Sequence, residues 1–400
     1  MHAVHQTRRP DGQGATGMIA IIGGLGHVGL PLGLVLADCG FRVAAIDSSP
    51  ERLAAVRQGR MPFLEHGAEA LLNSPNLTFH EAPGIDAIQA ADIVIVTLGT
   101  PLDEYQNPKL SAVLRPLLNY GSALDGKLLI LRSTLFPGTT ARIAKHLPSG
   151  RVAFCPERIL QGHAVRELRE LPQIVSGVTE EAAEEAAEVF AAMGVAVVKT
   201  SVASAELAKL FLNAWRYISF AAANQFLHLA NELGVDYNET ERAMKDGYAR
   251  ADALPSPGFA AGPCLLKDTM QLVAASPHGF PLGMAARLVN ERVPDVIVAQ
   301  LRNLHGPLDG ATIGILGMAF KADNDDTRDS LSFKLKKQLE FAGAVVLCSD
   351  EHAEGKGWVT MGELVGRADA IVVAVGHREY RGLKIPDGKV VVDLFGVTSR

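Results

Sequence analysis

The segment Met18-Ile19-Ala20-Ile21-Ile22-Gly23, followed at once by Gly24-Leu25-Gly26-His27-Val28-Gly29, constrains the fold more than any other part of the chain. The apolar run has the pattern of a strand buried on both faces, and the turn after it has G-x-G-x-x-G spacing. Glycines there permit a tight turn, let backbone approach a pyrophosphate and let the next helix pack closely on the strand. Structural turns use such glycines too, so the continuation matters. A helix-like stretch runs to Cys39, Gly40 breaks it, and Phe41-Arg42-Val43-Ala44-Ala45-Ile46 forms a second strand ending in Asp47. A carboxylate about twenty residues beyond the glycines is where the ribose hydroxyls of a dinucleotide are gripped. No arginine adjoins Asp47, so a ribose phosphate would meet a carboxylate, and the expected cofactor is NAD rather than NADP.

Apolar runs at 92–97, 128–134 and 152–157 alternate with helical stretches, which predicts a parallel sheet whose strand ends share one edge. Thr100, Thr134 and Glu157 then line that edge. Turn and capping chemistry accounts for each threonine alone, and a solvated loop accounts for Glu157. From Ser204 to Leu233 there is neither proline nor glycine, which predicts a long helix, buried or interfacial, joining two domains. Lys209 and Asn213, four apart, share a face of it. A lysine there either snorkels to solvent or reaches into a cleft to stabilise an oxyanion, with Asn213 beside it.

The run Pro257-Gly258-Phe259-Ala260-Ala261-Gly262-Pro263-Cys264-Leu265-Leu266-Lys267-Asp268-Thr269 presents one thiol on a small-residue turn that opens a helical stretch. Helical spacing puts Lys267 and Asp268 one turn beyond Cys264. The helix N-terminus and the ammonium both favour thiolate, which matters because a free thiol with a pKa of about 8.5 is mostly protonated at neutral pH. A small buried cysteine at a Gly-Pro helix start fits these residues equally well. A second sheet-like block begins at Ala311 and continues through apolar runs at 344–348, 370–375 and 389–393. Its glycines are fewer and spaced differently, which suits a nucleotide better than a whole dinucleotide. The charged segment 321–330 is either a solvated loop or, following the block's first strand, a loop aimed at a cleft.

Four hundred residues exceed one ordinary core and imply two or three domains. A hydrophobic fraction of 48% and a net charge of −6 describe a globular protein and argue against nucleic acid as the main partner. Cys39, Cys155, Cys264 and Cys348 lack paired spacing, which reads as a reducing compartment without disulfides or a zinc site; no metal is expected. No apolar stretch reaches membrane-spanning length, the N-terminus is not shaped like a secretory signal, and residues 1–17 read as a loose tail.

From Met18 to the C-terminus the chain resembles the UDP-glucose/GDP-mannose dehydrogenase family. The motifs that carry the resemblance are Gly24 to Pro31, Cys155-Pro156-Glu157-Arg158, Glu206 to Asn213, Gly258 to Asp268 and Phe320 to Ser330, five in the right order. The resemblance implies an α/β fold of two Rossmann-like parallel-sheet domains joined by a long central helix and a helical dimerisation region. The expected divisions are an NAD-binding domain at 18–202, a central region at 203–303 and a nucleotide-sugar domain at 304–400. The implied activity is oxidation of the C6 primary alcohol of a nucleotide sugar, most readily a UDP-sugar, to a carboxylate with two NAD consumed. An aldehyde is captured by the cysteine as a thiohemiacetal, oxidised to a thioester and hydrolysed. A cytoplasmic homodimer or higher oligomer, without membrane attachment, would then feed uronic acids into surface polysaccharide.

Carried over by motif, Cys264 is similar to the family nucleophile, Asp268 to the residue that orients water or manages protons, Glu157 to the carboxylate of thioester hydrolysis, Lys209 to the oxyanion lysine and Asn213 to its neighbour; Thr134 joins this catalytic set. The cofactor contacts implied are Gly24, Gly26, His27, Val28, Gly29, Asp47, Arg52, Thr100, Thr134 and Arg328. For the substrate they are Glu157, Arg158, Ile159, Lys209, Asn213, Phe259, Gly262, Phe320 and Lys321. Arg250, whose register against the motif is open, resembles the arginine that reaches a neighbouring subunit's substrate. The chain departs from many relatives in having Ala261-Gly262-Pro263 where they have paired glycines. Lys267 is absent from several N-acetylhexosamine-type relatives, which counts against that branch. Two rival readings are a two-electron β-hydroxyacid dehydrogenase, which needs neither Cys264 nor the block after Ala311, and an idle nucleotide-sugar sensor, which needs no thiol.

Overall fold

A computed structural model describes residues 17–104, 108–147 and 150–398. Nearly all of the expected N-terminal tail lies outside them. The chain divides into two compact units, Met1–Phe211 and Leu212–Arg400.

The first unit is built on eight strands: β1 Met18–Ile22, β2 Arg42–Asp47, β3 Leu77–Glu81, β4 Ile93–Val96, β5 Leu128–Leu131, β6 Val152–Phe154, β7 Gln173–Gly177 and β8 Val197–Lys199. Their order across the sheet is β3-β2-β1-β4-β5-β6-β7-β8. The strands are short apolar runs because both faces are covered: Ile19, Ile21, Val43 and Ile95 enter one buried cluster, and Ala20, Ile22, Val94 and Leu129 the other. The chain steps outward from β1 to β2 and β3, then returns to place β4 on the other side of β1. The ends of β1 and β4 therefore splay into the crevice where such sheets take ligands.

In one respect the sheet departs from a fully parallel one. β7 runs antiparallel to β6, with Phe154 opposite Ser176 and Ala153 opposite Gly177. Because β7 is reversed, its first residue, Gln173, lies level with the chain that leaves β6, near Glu157.

The second unit carries a four-stranded parallel sheet of β9 Thr312–Leu316, β10 Val345–Ser349, β11 Ala370–Val373 and β12 Val390–Asp393, in the order β10-β9-β11-β12. The first apolar run of this block ends sooner than its composition suggests. β9 stops at Leu316, and Gly317 turns the chain at a φ of 94° into a loop that lasts until Ser330 caps the next helix. A separate helical cluster packs Tyr217, Ala221, Ala260, Leu265 and Ala286 together. The long helix predicted from the gap in proline and glycine is present as Val202–Glu232, 31 residues. No helix among the described residues is long and apolar enough to cross a membrane.

Candidate active site

The glycine turn separates what the fold needs from what a ligand needs. A Cβ at Gly24 would stand 2.8 Å from Ala45 Cα and from the Ile21 carbonyl oxygen, and one at Gly29 would stand 2.4 Å from the Gly23 carbonyl oxygen. These two are glycines because strand backbone presses against Gly24 and the turn's own backbone against Gly29. A Cβ at Gly26 would meet nothing nearer than the Gly23 carbonyl oxygen at 3.5 Å and Arg52 Nη1 at 3.9 Å. The fold does not demand glycine at 26, the position where the G-x-G-x-x-G pattern expects close approach of a pyrophosphate. Val28 is the N-cap of the helix Gly29–Asp38, and the His27 ring lies 4.0 Å from that of Phe63. Asp47, buried at the end of β2, accepts the Leu25 N–H on one oxygen and the Ser49 N–H on the other, both at 3.0 Å. Each oxygen keeps an acceptor direction for a ribose hydroxyl. No arginine adjoins Asp47 in sequence, yet Arg52 brings its guanidinium to the glycine turn. Thr97, which the sequence reading missed, anchors the turn by donating to the Gly23 carbonyl oxygen at 2.9 Å. Thr100 lies four residues beyond β4.

Glu157 is not a solvated loop carboxylate. It is buried, with Oε1 accepting the N–H groups of Arg158 at 2.6 Å and Ile159 at 3.0 Å, while Oε2 is paired with Arg132. Arg158 and Ile159 thus use their backbone on Glu157. The Arg158 guanidinium donates to the Pro172 carbonyl oxygen, and the Ile159 side chain packs on the core. Burial pulls Arg158 below the usual arginine range. Arg132 was legible only as a charge closing the apolar run Leu128-Leu129-Ile130-Leu131. Glu206, read in the sequence only as the start of a motif, accepts from the Gly138 N–H at 2.7 Å, the Thr140 N–H at 2.9 Å and Thr140 Oγ1 at 2.7 Å. It caps the helix Thr139–His146 and ties the loop bearing Thr134 to the turn of the long helix just before Lys209. Lys209 and Thr134 are each half-buried.

In the second unit, Cys264 is the exposed N-cap of the helix Leu265–Ala275. That rules out the buried-cysteine alternative. Cys155 and Cys348 are the buried thiols; burial pushes them up to about 12 and about 11. Asp268 is fully buried one turn beyond Cys264, and its N–H donates to the Cys264 carbonyl oxygen at 2.9 Å. Asn213 Nδ2 donates to Asp268 Oδ2 at 2.5 Å, and the Lys267 ammonium pairs with Asp268 Oδ1 at 2.6 Å. The expected cation beside the thiol is therefore also the counter-ion of Asp268.

Two loops converge on this helix start. Gly262, at a φ of 92°, packs beneath the Phe320 ring, and its N–H donates to the Asp329 carbonyl oxygen at 3.3 Å. Gly258, next to Phe259, is clamped by the Asn224 side chain, which accepts the Gly258 N–H at 2.8 Å and donates to its carbonyl at 3.0 Å. Arg328 forks onto Asp326, and those hydrogen bonds, with Cys264 among its negative neighbours, raise its pKa. The Lys321 ammonium lies 6.0 Å from the Phe320 ring centroid. Arg250 is exposed, its guanidinium 5.9 Å over the Tyr248 ring. The loop carrying Lys321 and Arg328 is held from behind, since the Asp323 N–H donates to His377 Nδ1 at 3.0 Å and His377 Nε2 bonds Asp350 at 3.1 Å. Donor atoms of Asp323, His352, His377 and Glu379 gather within 4.8 Å here. In this arrangement they bond one another and neighbouring groups. A cavity of about 550 Å³ lined by Tyr237, Gln300, Asp393 and Thr398 holds none of the predicted site residues.

Comparison with known proteins agrees with this arrangement. Three parts of the UDP-glucose/GDP-mannose dehydrogenase family match in chain order: the NAD binding domain at residues 18–193, the central domain at 203–292 and the UDP binding domain at 314–400. The chain is 30% identical over 408 residues to a UDP-N-acetyl-D-mannosamine dehydrogenase of Methanocaldococcus jannaschii, covering 94% of this chain and 92% of the relative. It is 28% identical to an NDP-N-acetyl-D-galactosaminuronic acid dehydrogenase of Ralstonia nicotianae, covering 94% and 95%. A solved UDP-glucose dehydrogenase from Pyrobaculum islandicum superposes with a TM-score of 0.88 at 27% identity, covering 98% of this chain and 96% of that one. With the glycine turn, the N-capping cysteine and the second parallel sheet in place, the chain belongs to the UDP-glucose/GDP-mannose dehydrogenase family of nucleotide-sugar dehydrogenases, and its first unit carries that family's NAD-binding domain.

Proposed function

We propose that this chain oxidises the C6 hydroxymethyl group of a UDP-linked sugar to the uronate, four electrons per sugar, through a thiohemiacetal and a thioester on Cys264. The observation that carries the reading is the setting of Cys264, the exposed thiol at a helix N-terminus, backed by Asp268, Asn213 and Lys267. Neither nucleotide-sugar binding nor a two-electron oxidation needs such a thiol.

When bound, NAD supplies the hydride acceptor for each of the two oxidations. Gly24, Gly26, His27, Val28 and Gly29 would hold it, with Asp47 for its ribose hydroxyls, Arg52 for the pyrophosphate, and Thr100 and Thr134 at the strand ends. The Cys264 thiolate adds to the C6 carbonyl of the aldehyde, placing negative charge on oxygen. Lys209 offsets that charge, and so does Asn213, whose second amide N–H is left to donate once the first is engaged by Asp268. Asp268 holds Asn213 and Lys267 in place. Glu157 orients the water that hydrolyses the thioester. Phe259, Gly262, Phe320, Lys321, Arg158, Ile159 and Arg250 are assigned to the nucleotide sugar, the cations to its diphosphate. Arg328, in the field of Cys264, is assigned to favouring the thiolate as well as to the cofactor.

We assign the functional divisions as 18–202, 203–303 and 304–400. We assign a homodimer in the cytoplasm, with Phe211, Leu212, Trp215, Phe226 and Leu229, exposed along one helix, and Leu233 just past its end, as the apolar surface that a second copy would cover. Light scattering of Trp215→Glu against the unaltered protein tests it: a shift to monomer supports the assignment.

The deciding experiment measures NADH formed per sugar over UDP-N-acetyl-D-mannosamine, UDP-N-acetylglucosamine, UDP-glucose and GDP-mannose. The relatives' names put UDP-N-acetyl-D-mannosamine first, although Lys267 favours UDP-glucose. Two NADH per sugar with one of them establishes the reading; one NADH, or full acid production by Cys264→Ser, sinks it.

A further inference from the structure

Arg132 stands where a side chain chosen for stability alone would be apolar. It follows four apolar residues of β5, is 1% exposed, and its N–H donates to the Val96 carbonyl oxygen at 2.9 Å at the end of β4. The guanidinium lies 4.8 Å over the Phe190 ring. Nη2 donates to Glu157 Oε2, and to Gln173 Oε1 at 3.2 Å. Nε and Nη1 are buried and make no hydrogen bond within the described residues. An ion pair buried in this way is a weak source of stability, because desolvating both charges offsets their attraction and apolar residues of similar volume do as well.

What the pair supplies is direction. A carboxylate offers about four acceptor directions, two on each oxygen. Glu157 Oε1 has both taken by the Arg158 and Ile159 N–H groups, and Oε2 has one taken by Arg132. One remains, on Oε2. Arg132 cannot turn away, since Phe190 lies beneath its plane and Gln173, brought level by the reversed strand β7, holds the same nitrogen.

We propose that Arg132 is a positioning residue that locks the Glu157 carboxylate in an orientation with one open acceptor direction, and that this direction receives an O–H of the water that hydrolyses the thioester. The proposal rests on the reading of Glu157 as the hydrolytic carboxylate. In the step, the water oxygen bonds to the thioester carbonyl carbon and its proton passes to Glu157 Oε2. The C–S bond then breaks with its electron pair left on the Cys264 sulfur, and the acid departs. Glu157 returns its proton to solvent.

The test follows NADH in rapid mixing and the intact mass of the protein for the unaltered chain and for Arg132→Met, Arg132→Lys, Glu157→Gln and the Arg132→Met/Glu157→Gln double variant. Arg132→Met is expected to form the two NADH of its first turnover at the normal rate and then to slow about 100-fold, as for a lost acid–base contact, with the acyl mass on Cys264 and KM little changed. Arg132→Lys, which keeps the charge without the planar fork, is expected to regain about tenfold of that rate while still showing the adduct. The double variant is expected to be no slower than Glu157→Gln. Normal turnover of Arg132→Met, equal slowing of every step without an adduct, or losses that multiply in the double variant would overturn the proposal. If Arg132→Met does not fold, Arg132→Lys decides, and absence of adduct there overturns it. A single NADH per sugar from the unaltered chain would overturn the four-electron reading itself, a result distinct from a positioning failure.

Discussion

A methyl group on the α-carbon of Gly262 would stand 2.5 Å from Cδ2 of Phe320. The glycine is also in the left-handed region, at a φ of 92°. Gly262→Ala therefore carries backbone strain of about 1–2 kcal/mol and displaces the ring as well. The expected outcome is a lower Tm and a fall in kcat larger than the stability loss explains, because Cys264 is two residues away. Adding Phe320→Ala should relieve the clash but not the strain, so the double variant should recover stability only in part.

The glycine turn yields a contrast between two substitutions. Gly24→Ala should destabilise the first unit by several degrees of Tm, since its Cβ would overlap backbone. Gly26→Ala should leave Tm near that of the unaltered protein and weaken NAD binding at least tenfold, read by fluorescence titration. Equal effects on both quantities at both positions would contradict the assignment of Gly26 to the ligand.

Thiol reactivity should follow burial. Iodoacetamide near pH 7.5, with peptide mass spectrometry as the readout, should modify Cys264 well before Cys155 or Cys348, whose thiols are pushed up to about 12 and about 11 by burial. Modification should stop NADH formation in proportion to labelling at 264. Inactivation that tracks labelling of Cys155 would contradict this.

Asp350 gives a pH prediction. Burial raises its carboxyl, but the hydrogen bond from His377, with the Ala319 and His352 N–H groups, outweighs that and holds it well below the usual aspartate range. A carboxylate lowered on folding stabilises the fold fully above its unfolded pKa of about 4, and this is lost as pH falls toward the folded value. The Tm gap between the unaltered protein and Asp350→Asn should hold constant from pH 8 to pH 5 and narrow below about pH 4. A gap that instead closes between pH 6 and 8 would assign the effect to His377.

The sequence was most legible where chemistry is local. The strand, glycine turn and Asp47 could be read because G-x-G-x-x-G spacing and a β-strand end are short-range signals, and the 31-residue helix because proline and glycine are absent from it. The reversal of β7 was not legible, since a five-residue strand carries no mark of its direction. With it went the meeting of Gln173, Arg132 and Glu157, three residues separated by 16 to 41 positions. Glu206 was read as part of a motif but not as a cap, because its partners at 138 and 140 lie in another element. Lys267 was read as a helper of the thiol, and its ion pair with the adjacent Asp268 depends on rotamers that spacing does not specify.

Gly26 differs from Gly24 and Gly29 in what surrounds it. Gly24 and Gly29 are required by the chain's own backbone; Gly26 has room around it. If a descendant of this protein ceased to use its cofactor, selection for folding would still hold Gly24 and Gly29, while Gly26 would be released to drift. A side chain at that single position, with the other two glycines intact, would mark a lineage that kept the architecture after giving up the redox chemistry.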